Sequence, residues 1–135
     1  MAKQSEAQQT GLFILPSVTI GNAGMPGAPI FQLSLAVNTV AKAISGHGRI
    51  TQAVSPPVDV ETHLSGFYVV ATVMPKETRL VVRASGVPHE GAGLLNVHLR
   101  MVLSEDWKSG TASYDYRGSD GQWHAVDNVP VKIGE

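Results

Sequence analysis

The sequence predicts an all-β domain: an antiparallel two-sheet β-sandwich or flattened β-barrel of about nine short strands. Three observations predict it. Apolar and polar residues alternate in segment after segment, Gly/Pro clusters punctuate the chain about every ten residues, and one short segment alone has a helical cast. The composition suits a packed core. Of 135 residues, 43% are hydrophobic and 16% charged, against about 25% charged in an average soluble domain. That length makes one domain.

The elements follow in order. Residues 1–10 are polar and glutamine-rich, without periodicity, and are expected to be a flexible tail before a single β domain at 11–135. Residues 12–20 form a weak strand. In 30–38, Phe31, Leu33, Leu35 and Val37 alternate with Gln32, Ser34 and Asn38, the pattern of a half-buried strand. Residues 39–45 are the helical candidate, closed by Gly46. Weak strands are expected at 48–54, 58–64 and 78–84. Residues 67–74 are apolar on both faces, fitting a central covered strand or one that forms an interface. In 96–104, Val97, Leu99, Met101 and Leu103 oppose Asn96, His98, Arg100 and Ser104. Residues 112–116, 122–126 and 130–133 complete the set. Ser65-Gly66 and Ser109-Gly110 look like bulges or corners inside longer strands.

Several function classes are excluded. The formal net charge is −1 and no run of like charge exceeds two residues, so the electrostatic footprint of a nucleic-acid binder is missing. A polybasic membrane anchor is missing too. There is no cysteine, hence no disulfide, thiol catalysis or thiolate-bound metal. No apolar stretch approaches the roughly 20 residues of a membrane helix, and the first ten residues lack a signal-peptide core. The expectation is a soluble cytoplasmic protein, with signal-independent export the alternative.

Four strings carry a resemblance: MPGAPIFQLSLAVNT at 25–39, GRITQAVSPP at 48–57, NVHLRMVLSEDWKSGTASYDY at 96–116 and WHAVDNVPVKI at 123–133. Together they resemble a bacterial family of small proteins known as domain of unknown function 1842. The resemblance runs from about Gly11 to the C-terminus. It implies one domain and brings no reaction, cofactor or catalytic residue with it.

Candidate chemistry is sparse. Asp59, Glu61 and His63 share one strand face and could hold a cation or relay a proton, though a solvated outer face is the simpler account. Asn96, His98 and Arg100 make the best-populated polar strip, able to hold a carboxylate, phosphate or sugar. His47, between two glycines, suits a small anion nest or, more simply, a bent strand or turn. His89-Glu90 sits in a Gly/Pro loop, and His124 is an exposed strand residue. No serine lies in G-x-S-x-G or S-x-x-K, and Gly21–Gly27 is neither a dinucleotide fingerprint nor a P-loop. No cofactor or metal is implied.

The chain holds two Trp, three Tyr and three Phe, most of which belong in a core. Trp107 and Trp123, flanked by polar residues, are the aromatics expected to be partly exposed. The leading expectation is a non-enzymatic β-sheet binding module acting through self-association or a protein partner. A small-ligand carrier with a barrel cavity is the second. A carbohydrate-binding face built on Trp107, Tyr114 and Tyr116, and a small hydrolase or isomerase using His98 and Arg100, are the others. The carrier needs an interior cavity, and the sugar binder needs its three rings on one exposed face.

Overall fold

A computed structural model describes residues 11–74, 77–88 and 94–134. The expected tail and the His89-Glu90 loop lie outside the described residues. Eight strands follow one another: β1 (Leu12–Ile20), β2 (Ile30–Asn38), β3 (Ala43–Gln52), β4 (Val58–Met74), β5 (Glu77–Val87), β6 (Val97–Ser104), β7 (Ser109–Arg117) and β8 (Trp123–Gly134). Each pairs antiparallel with its neighbour in sequence, and β1 pairs with β8. The result is a closed up-and-down barrel. It is neither a two-sheet sandwich nor nine-stranded.

Two pairs of the ten expected segments fuse, which leaves eight strands. Residues 58–64 and 67–74 form one strand, whose ladders with β3 and β5 both run straight through Ser65 and Gly66. Residues 122–126 and 130–133 join across a bulge, where Asn128 takes a φ of 53° and its N–H donates to Ser113 Oγ at 3.0 Å. The helical candidate at 39–45 is instead a turn at 39–42 followed by the first residues of β3. Asn38 Oδ1 accepts from the N–H groups of Val40 and Ala41, both at 3.0 Å, and Lys42 turns the chain with a φ of 54°. That leaves β3 free to start at Ala43.

The interior is built in rows that run around the barrel. One row reads Leu35, Gly46, Leu64, Gly86, Val97, Tyr116, each directly opposite the next on the adjacent strand. Leucine and glycine alternate from Leu35 to Gly86, which lets neighbouring strands interleave inside a narrow barrel. Every strand contributes to one apolar cluster, including Ile20, Phe31, Ile50, Leu99, Tyr114 and Val131. At eight strands the interior is just wide enough for side chains to fill it.

The inward glycines are required by contact. A Cβ on Gly46 would strike the Ser34 carbonyl oxygen, and one on Gly66 would strike that of Arg83 and lie 2.6 Å from Ala84 Cα. Here the backbones of adjacent strands come too close for any side chain. Trp107 closes one end, edge-on to Phe13 (ring centroids 5.4 Å) and Tyr68 (5.0 Å). Its φ of 61° lies in a turn where Asp106 accepts from Ser104 Oγ and the Lys108 N–H. Those bonds, the Ser104 hydroxyl first, hold the Asp106 carboxyl below its usual range.

The expected covering of residues 67–74 on both faces is not found at the described side chains, where Phe67, Val69 and Val70 all stand exposed.

Gly66→Ala should cost about 3 kcal/mol or prevent folding, as overpacking against backbone does, whereas Gly134→Ala, whose Cβ meets nothing closer than 3.8 Å, should be nearly silent. Urea denaturation of the two variants checks this.

Candidate functional site

The six residues expected to bind a ligand part company. Tyr114 is fully buried and Tyr116 nearly so, both inside the barrel. Tyr114 packs on Phe31 with ring centroids 5.1 Å apart, and its hydroxyl has no hydrogen-bond partner among the described residues. Burial pushes its phenol pKa well up, as it does that of Tyr116, beside which Asp120 adds a smaller push. Trp107 is half-buried in the end plug. No exposed face joins these three rings.

Asn96 is also buried, and each of its polar groups is used. Its Oδ1 accepts from Thr62 Oγ1 at 2.8 Å and its Nδ2 donates to the Glu61 carbonyl at 3.0 Å. Its N–H donates to Gly86 O and its carbonyl accepts from Arg117 N, both at 2.8 Å. Asn96 therefore ties β4, β5 and β7 together just before β6 begins. It is a staple.

His98 and Arg100 remain on the outer wall, where they line a shallow concavity with Ser65, Phe67, Arg83, Ser85 and Asp115. Arg83 lies directly opposite Arg100, and neither has an ion pair among the described residues. Ser85, His98 and Asp115 are consecutive across β5, β6 and β7, yet no hydrogen bond joins them. His98 stacks instead on Trp123, with centroids 5.1 Å apart and planes 27° apart. Beside this polar row runs an apolar one of Val69, Val81 and Val102, directly opposed in turn.

A second concavity of about 720 Å³ lies on the wall of β2, β3 and β4, lined among others by Gln32, Ser34, His47, Arg49, Glu61 and His63. The Arg49 guanidinium contacts Asp59 at 3.1 Å and also pairs with Glu61. That hydrogen bond to Glu61, and then the charge of Asp59, raise the Arg49 pKa. Asp59 and Glu61 thus serve Arg49, and the cation triad expected with His63 is not assembled. Among the described residues no group of three or more His, Asp or Glu is placed to hold a metal ion. His124 stands apart, stacked on Tyr116 and 3.2 Å from Asp120.

The family model for a domain of unknown function, DUF1842, matches residues 10–123. The chain belongs to the DUF1842 family. The match spans β1 to the first residue of β8 and supports the resemblance carried by the strings within it. No curated protein matches the chain.

In this DUF1842 barrel the β3–β4 wall is the feature that sequence reasoning missed. A signal was present. A hairpin centred on Ser55, in the Ser-Pro-Pro turn, sets 47 opposite 63, 49 opposite 61 and 51 opposite 59, and the register is that. Residues eight, twelve and sixteen apart thereby become neighbours.

Asn96→Ala should lower stability by about 2–3 kcal/mol, since it strands Thr62 and the Glu61 carbonyl in the interior. Tyr114→Phe, which removes an unpartnered hydroxyl, should be neutral or stabilise by about 1 kcal/mol. Equilibrium urea unfolding reads both, and an unchanged midpoint for Asn96→Ala would show that the staple is not structural.

Proposed function

We propose that this DUF1842 protein is a non-enzymatic binding module whose docking surface is the outer wall of β4, β5 and β6, and whose partner is an acidic, apolar-tipped protein segment. One observation carries the reading: an outward apolar row of exposed Val69, half-buried Val81 and exposed Val102, flanked by Phe67 and by the opposed Arg83 and Arg100. Apolar area supplies the affinity of such a contact. Unpaired charge at its edge supplies orientation and rate.

Charge also selects between partners. A symmetric dimer through this wall would set the patch on itself and bring Arg83 and Arg100 near their own copies. An acidic partner meets no such repulsion. Self-association through this face is therefore the weaker account.

The other readings have less support. A carried molecule needs a cavity of about 300 Å³ or more, and the barrel interior is occupied by side chains from every strand. A hydrolase using His98 needs a relay to Ser85 or Asp115, which His98 does not make. No helix among the described residues is long and apolar enough to cross a membrane. The wall itself, with Arg49, Glu61, Arg83 and Arg100 outward and an apolar interior, has the reverse polarity of a membrane-spanning barrel. An aqueous compartment suits it.

A photo-crosslinking amino acid at Val81 or Val102, in cells that make the protein, should yield adducts with another protein. Arg83→Glu with Arg100→Glu should reduce those adducts tenfold or more while leaving the circular dichroism unchanged. Adducts between copies of this chain alone, or none, would overturn the proposal.

A further inference from the structure

We infer that His47 and His63 form a binding site for a borderline divalent cation such as Zn²⁺ on the outer wall of β3 and β4, independently of the docking surface proposed above. The two residues are directly opposed on adjacent antiparallel strands. Their rings lie side by side, with centroids 6.3 Å apart and planes 41° apart. Two metal–nitrogen bonds of about 2.0–2.1 Å bring imidazole centroids to roughly 5–6 Å, so rotation of two exposed side chains closes the pair. The backbone need not move.

The surroundings favour a cation. Arg49 is the sole Lys or Arg among the described lining residues, and it is matched by Asp59 and Glu61, two carboxylates against one guanidinium. Ser34 stands opposite His47 on β2 and adds a hydroxyl rather than a charge. Neutral imidazole is a preferred ligand of zinc, nickel and copper, whereas magnesium and calcium prefer oxygen. A pair of imidazoles with no third histidine among the described lining residues fits a borderline ion whose other positions are taken by exchangeable water. The sheet fixes both backbones in advance, so the ordering that opposes binding is confined to the two side chains.

Isothermal titration of the untagged full chain with ZnCl₂ at neutral pH should give one ion per chain. His47→Ala and His63→Ala should each weaken binding tenfold or more, whereas His98→Ala and His124→Ala should leave it intact. In two-dimensional NMR spectra, zinc should shift the imidazole signals of His47 and His63 together. Because both residues are exposed, the variants should keep the parent circular dichroism, which separates loss of site from loss of fold. Absence of one-to-one binding would overturn the assignment. So would binding that survives both substitutions, or that falls equally in the His98 and His124 variants.

Discussion

Everything in this molecule depends on closing an eight-stranded sheet around an interior with room only for side chains. Closure removes most sheet edges, and it forces adjacent strands together wherever the wall bends. Glycine is the solution at the tightest places, paired against leucine: Leu35 with Gly46, Gly46 with Leu64, Leu64 with Gly86. A side chain at Gly86 would collide with Thr62, which must stay where it is to bond Asn96. The glycines thus make space for the polar staple as well as for the bend.

A filled interior decides where chemistry can occur. With apolar side chains from every strand inside, polar groups are displayed on the outer wall, on strands rather than on loops. Strand register then becomes the organiser of sites. It sets His47 beside His63, Arg49 beside Glu61, and Arg83 beside Arg100. Strands held on both sides give such groups less freedom than loops do, and a binding surface made from them is correspondingly preorganised.

Much of the fold was legible. Alternation located β2 to the residue and β6 to within one, because a period of two is the direct imprint of one face buried and one wet, and the weak strand expected at 12–20 has the bounds of β1. The misjudged regions share a cause. Gly46 looks like the close of a helical segment and Gly110 like a bulge or corner, yet both lie in regular strand pairing at points of close backbone approach, so β3 and β7 start earlier than expected. Closure itself left no local mark, since sandwich and barrel bury the same alternate residues. Asn96 shares the parity of His98 and Arg100, but it precedes the strand, where parity no longer governs direction, and it folds inward. Tyr114 and Tyr116 were ambiguous because a phenol suits either face until its neighbours are known.

The two arginine arrangements on this barrel explain each other. Arg49 meets two carboxylates from the adjacent strand, so its charge is answered within the chain. Arg83 and Arg100 face each other across β5 and β6, and like charges set directly opposite are mildly destabilising. Asp115, one strand over, is aligned with His98 rather than Arg100 and forms no ion pair with either arginine. The core carries that small cost without difficulty, so stability gives no reason for the pair to be there. Arg49 shows what relief looks like on this sheet: carboxylates arriving from a neighbouring strand, at the level of the outer wall. No carboxylate among the described residues relieves Arg83 and Arg100, and under the proposed function the acidic partner would supply it. The row of Val69, Val81 and Val102 beside them offers the apolar contact that would hold such a partner in place.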